Sequence, residues 1–206
     1  MSYRPTAKTR ARQKAQHESL LKTAVSIVAR DGFHGLTISR LARETGIATG
    51  TVYKYFDSKA HLCAEVFKRA TEREVDMVRA ASFPEQPAPC RQRLTDAVTI
   101  FAERAILGGR LAYALIAEPV APAVEQERLI YRKAYAGIFE QLIEEGVKTD
   151  EFPSQSPSVS AAALVGILAE VLVAPLGRGD AATDQSLLIG PIRKFCLRAI
   201  AFRETA

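Results

Sequence analysis

Thr37-Ile38-Ser39-Arg40-Leu41-Ala42-Arg43-Glu44-Thr45-Gly46-Ile47-Ala48-Thr49-Gly50-Thr51-Val52-Tyr53-Lys54-Tyr55-Phe56-Asp57-Ser58-Lys59 is the stretch whose reading decides the fold. Thr37 stands where a helix N-cap belongs, and Ile38, Leu41 and Ala42 follow as an apolar i, i+3, i+4 triplet. Gly46 comes almost at once, so this helix is very short. A second short segment then runs from Thr49. In it Val52 and Phe56, four apart, turn inward, leaving Thr49, Thr51, Lys54 and Tyr55 on the outer face. Asp57-Ser58 closes the segment and caps a long helical pattern from Lys59 to about Ala81. Short helix, glycine turn and second short helix make a helix-turn-helix.

Upstream, Leu21, Ala24 and Val28, with Leu20 and Ile27 beside them, repeat with a helical period that stops at Asp31-Gly32. Downstream, Pro84, Pro87 and Pro89 make residues 83–90 a connector. Five more helical patterns follow: 91–107, 110–117, 121–146, 158–176 and 183–203. Residues 152–157 and 177–180 read as loops. No strand-like alternation occurs, so the expected class is all-α. The expected organisation is a basic flexible arm (1–14), a helix-turn-helix domain (15–60) and a helical body (61–206). Gly190-Pro191 predicts a kink or restart in the last helix.

With 25% charged and 48% apolar residues, the composition is that of a globular chain. Glu170 interrupts the longest apolar stretch, and no hydrophobic run follows the basic N-terminus. Neither a membrane span nor a signal peptide is therefore expected. Cys63, Cys90 and Cys196 are scattered and odd in number, which suits a reducing compartment, the cytoplasm, and gives no metal or disulfide pattern. The net charge of +5 is lopsided. Residues 1–60 carry 11 Lys and Arg against 4 Asp and Glu, a net of +7, while the rest carries −2. That is the footprint of a polyanion-binding module on a near-neutral body.

Arg40 to Lys59 resembles the DNA-binding signature of the tetracycline-repressor-like (TetR) family of bacterial regulators. The resemblance rests on Ile38-x-x-Leu41-Ala42, Gly46-Ile47, Gly50-Thr51-Val52-Tyr53, Tyr55-Phe56, Ser58-Lys59 and Leu62, and it covers about residues 15–65. It implies that Thr49, Gly50, Thr51 and Lys54 face bases, and that Thr37, Tyr53, Tyr55 and Lys59 hold phosphates. Ala48 departs from the family pattern, standing where many members place a capping Ser. The residues themselves point the same way. Hydroxyl and ammonium groups suit base edges and phosphates, and Gly50 allows a close approach to the duplex. Lys59 lies in a helix's first turn, where the macrodipole disfavours a cation unless a phosphate is there.

In the body, residues 158–176 are apolar on nearly all sides, and Ile192, Phe195, Ala199 and Phe202 form a second stripe. The resemblance implies a homodimer through the last two helices, with Leu172, Phe195, Ala199 and Phe202 in the interface. Ligand candidates on the middle helices are Phe101, Tyr113, Ile116, Tyr131, Tyr135, Phe139 and Leu168, with Glu118 and Arg128 or Arg132 as candidate polar anchors; a solvated helix face is the alternative, favoured reading for the two arginines. An uncharged or amphipathic, acyl-like organic effector is expected, with no cofactor and no metal. No catalytic constellation is present, since His17, His34 and His61 are far apart and no nucleophile or phosphate-loop motif occurs. The function expected is a ligand-responsive transcriptional regulator, a repressor binding a palindromic double-stranded DNA operator. A helical carrier protein whose basic N-terminus binds acidic partners non-specifically is the open alternative, and sequence-selective DNA binding separates the two.

Overall fold

Residues 7–178 and 186–202, those that the computed structural model describes, form nine α-helices: α1 (Ala7–Gly35), α2 (Ile38–Thr45), α3 (Thr49–Val52), α4 (Lys59–Ser82), α5 (Cys90–Gly108), α6 (Arg110–Ile116), α7 (Pro122–Lys148), α8 (Pro157–Arg178) and α9 (Ser186–Ala201). There is no strand among the described residues. The α1 start revises the expected arm. Lys8, Arg10, Arg12 and Lys14 lie on helix, because a stretch of Ala, Arg, Lys and Gln has high intrinsic helix propensity; Arg4 lies outside the described residues. Near its other end α1 breaks at Gly32 (φ 73°, ψ −179°), the glycine read as a stop, and resumes for one short turn to Gly35.

Two cores stack along α4. The first gathers Leu20, Ala24, Ile27 and Val28 of α1, Leu41 of α2, Val52, Phe56, and Leu62, Val66 and Phe67 of α4. The boundary expected at residue 60 therefore falls inside a continuous packing unit, since Phe67 belongs to this core and Ala114 and Val124 of the other half complete it. The second core takes Val75 and Val78 from the far end of α4 and adds α5, α7, α8 and α9.

Helices α8 and α9 fall in the expected positions, although Thr183 and the loop residues Gly179 and Asp180 lie outside the described residues. No restart is found at Gly190-Pro191: α9 continues through Pro191, forgoing one N–H···O=C bond. By length and composition alone 157–177 could cross a bilayer, contrary to expectation, because Glu170 does not break the helix. About a third of it is buried within the chain, where it packs on α6 and α7. Its exposed side carries Val159 and Val171, and Leu187, Phe195 and Phe202 on and after α9 are exposed as well. All three cysteines are buried and free; burial pushes the thiols of Cys63 and Cys90 up, and that of Cys196 to about 11.

Candidate nucleic-acid interface and ligand cavity

Each turn of the helix-turn-helix is set by a named cap. The Thr37 hydroxyl accepts from Arg40 N–H (3.1 Å), fixing the start of α2. Gly46, left-handed at φ 69°, ends it, and Ile47 N–H returns to Ala42 O (3.0 Å). Glu44 accepts from Arg30 (2.7 Å) and Arg40 (2.9 Å), while Arg40 also pairs with Asp31, so α2 is pinned to the end of α1. The hydrogen bonds from Arg30 and then Arg40 hold the Glu44 carboxyl below its ordinary range against a smaller opposing effect of burial.

α3 is a single turn whose N-terminus has no side-chain cap, Ala48 being unable to supply one. Val52 and Phe56 are fully buried, as their spacing predicts, and His17 stacks on Phe56 with ring centroids 5.2 Å apart. Thr49, Gly50 and Lys54 are exposed, Thr51 and Tyr55 half-buried, and Tyr53 is 51% exposed, so Tyr53 is no packing residue. A Cβ at Gly50 would meet nothing within 4 Å. Ser58 caps α4 by accepting from His61 N–H (3.1 Å), and the first turn that follows holds exposed Lys59 and no carboxylate. Thr37, Thr49, Thr51, Tyr53, Lys54 and Lys59 thus keep polar groups open to solvent along one contiguous segment of the chain.

The second site is a cavity of about 120 Å³ between α4, α5, α6, α7 and α8. Of the expected ligand residues it brings together Phe101, Ile116, Tyr131 and Tyr135, with Phe101 and Tyr135 edge to face at 5.2 Å. The burial of Tyr131 and the nearby carboxylate of Glu72 push its hydroxyl up to about 12, so it remains a donor at physiological pH. Four expected residues sit elsewhere. Phe139 and Leu168 point from the same helices into the core at 0% exposure. Tyr113 lies against Gly177. Glu118 accepts instead from Phe33 N–H (3.1 Å), His34 N–H (3.2 Å) and His34 Nδ1 (2.9 Å), just past the Gly32 break. Burial pushes the Glu118 carboxyl up, but these hydrogen bonds outweigh it and hold it below its ordinary range.

Arg128, expected on a solvated face, is buried at the cavity wall and donates to Ala114 O, Leu115 O and Glu118 O. Sequence reading missed the α4 wall, although Phe67, Thr71, Glu74 and Val78 recur at i, i+4, i+7 and i+11. Glu74 is neutralised there by a two-pronged pair with Arg104. Arg132 lines the cavity, is exposed, and has no hydrogen bond or ion pair with a described residue. Of the expected dimer residues, Leu172 is fully buried within its own chain, whereas Phe195, Ala199 and Phe202 are exposed. The apolar stripes of α8 are wide enough to feed the chain's own core, and Leu172 is on that side.

The caps, the turn and the exposed α3 face lie within residues 20–66, the segment that matches the family model "Bacterial regulatory proteins, tetR family". Residues 20–66 are thus a tetR-type DNA-binding segment, and the chain is a DNA-binding transcriptional regulator. It is 23% identical over 146 residues to the fatty acid metabolism regulator protein of Bacillus subtilis, covering 68% of this chain and 72% of that one. Its fold is also that of two solved structures. The fatty acid degradation regulator FadR of Bacillus halodurans superposes with a TM-score of 0.73 at 20% identity, over 88% of this chain and 97% of that one. FadR of Bacillus subtilis in complex with stearoyl-CoA gives 0.73 at 18% identity, over 89% and 99%.

Proposed function

We propose that this regulator is a repressor whose homodimer binds an inverted repeat, and whose affinity for it is lowered by an amphipathic effector with an acyl-like tail. In this proposal Thr49, Gly50, Thr51 and Lys54 face the bases, and Thr37, Tyr53, Tyr55 and Lys59 hold phosphates. The observation that carries it is the open α3 face: a glycine with no reason inside the chain, flanked by free hydroxyl and ammonium groups. The exposed apolar side of α8 and α9, with Phe195, Ala199 and Phe202, supplies the dimer contact. The tail fits among Phe101, Ile116, Tyr131 and Tyr135, and an anionic head group fits the unpaired Arg132. A similar fold solved with stearoyl-CoA supports the tail. The site of action is the cytoplasm, where the operator is.

Selecting random DNA fragments on the purified protein tests this. The expected outcome is an inverted repeat with half-sites one helical turn, ~34–36 Å, or a multiple of it apart. Thr51→Ala or Lys54→Ala changes the preferred sequence, whereas Lys59→Ala weakens all sequences alike and reduces the salt slope by about one. A carrier with a merely basic N-terminus would yield salt-dependent binding and no sequence, and that result overturns the proposal.

A further inference from the structure

Besides α4 and the packing of Ala114 and Val124 into the first core, a buried carboxylate ties the two halves of the molecule together. Glu118 is 6% exposed and follows directly on α6, and it reaches 84–85 residues back to the last turn of α1. Its oxygens take the N–H groups of Phe33 and His34 and the Nδ1–H of His34. The fit is close, because a Cβ on Gly32 would stand 2.5 Å from Glu118 Oε2. The same short segment forms the cavity wall: Leu111, Ala112, Leu115 and Ile116 of α6 line it. Arg128, also at the wall, fastens the segment by its carbonyls at Ala114, Leu115 and Glu118.

We infer that Glu118 is the positioning residue through which the state of the cavity sets the angle of the DNA-binding half. A molecule that moves α6 or draws on Arg128 displaces the Glu118 backbone by the same step. The carboxylate then loses or re-forms its bonds to Phe33 and His34, and the Gly32 break is the hinge that yields. Two arrangements of a packed joint, each with its own hydrogen bonding, are what a coupling between sites requires. The inference deepens the proposed function and rests on its cavity, but not on the identity of the effector.

Two arms test it on the full-length protein with its selected operator. In the first, operator affinity is measured with and without saturating stearoyl-CoA, and stearoyl-CoA binding is measured off DNA, for wild type, Glu118→Gln and His34→Ala. Wild type is expected to lose between about 5- and 150-fold of operator affinity, the usual range of allosteric coupling. Glu118→Gln should bind stearoyl-CoA as wild type does and lose less than a third of that factor. His34→Ala, whose ring is mostly exposed and whose removal leaves the core intact, should fall between. A full wild-type response in both variants overturns the inference. A wild type that neither binds nor responds to stearoyl-CoA counts against the proposed effector, and the second arm then decides. There Ala112→Phe fills the cavity in place of a ligand. Its effect on operator affinity should be several-fold alone and less than half as large in combination with Glu118→Gln; equal effects in the two backgrounds overturn the inference.

Discussion

Gly50 and Gly32 are glycines for opposite reasons. Gly32 is demanded from within: its φ of 73° is costly for any other residue, and the Glu118 carboxylate fills the space a side chain would need. Gly50 sits at the surface in helical backbone with empty space around it, where alanine would be better by up to ~1 kcal/mol. Gly50→Ala is accordingly expected to melt no lower than wild type yet to bind the operator about tenfold more weakly, a difference of ~1.4 kcal/mol, because the added methyl stands between helix and duplex. Calorimetric melting and fluorescence anisotropy on one preparation check both halves. Wild-type DNA affinity in that variant would remove the reason for this glycine. Lys59 has the same logic in charge: a cation on the positive end of α4 with no carboxylate in the turn is an unfavourable choice until a phosphate arrives.

At the scale of elements, the exposed apolar side of α8 and α9 separates two substitutions that look alike in sequence. Phe195 is 59% exposed, so Phe195→Glu should leave a folded monomer in sedimentation. Leu172 is fully buried, so Leu172→Glu should unfold the chain, an unpaired buried charge costing several kcal/mol. A folded dimer for Phe195→Glu would move the interface elsewhere. The same pair shows what the sequence could and could not say. Helical periodicity placed all nine helices and the inward Val52 and Phe56, since spacing along one helix is local. It could not tell which side of a nearly all-apolar helix faces home and which faces a partner, hence Leu172, nor core from cavity wall, hence Phe139 and Leu168. Tyr131 and Tyr135 were legible as cavity residues because they share one face of α7. Glu118 was not, because its partners lie some 85 positions away, beyond the reach of any spacing along one helix.

At the scale of the whole molecule, three carboxyls among the described residues are held below their ordinary value and tie stability to pH in one direction: those of Glu44, Glu118 and Glu151, the last accepting from the N–H groups of Cys90 and Arg91 at the start of α5. The unfolded chain takes up protons near the ordinary value of 4.5, and the folded one does so lower, so their stabilisation is complete above that value and is lost as the pH falls below it. Urea midpoints should therefore drop between roughly pH 5 and 3, and less steeply in Glu118→Gln; a midpoint rising over that interval would contradict these pairings. The cavity makes a separate prediction. Tyr135→Ala, which removes one edge of the aromatic pair with Phe101, should blunt the response to stearoyl-CoA and leave effector-free operator binding within about threefold, since Tyr135 belongs to the second core and not the first. Loss of effector-free binding would refute this division of labour. The three buried thiols carry a practical corollary for watching that response. With Cys63, Cys90 and Cys196 enclosed and poorly ionised at neutral pH, the native chain is nearly silent to thiol-directed dyes. A single cysteine introduced on the surface of α1 could be labelled in the otherwise unaltered protein, and the spacing of the two recognition helices followed directly in solution as effector is added.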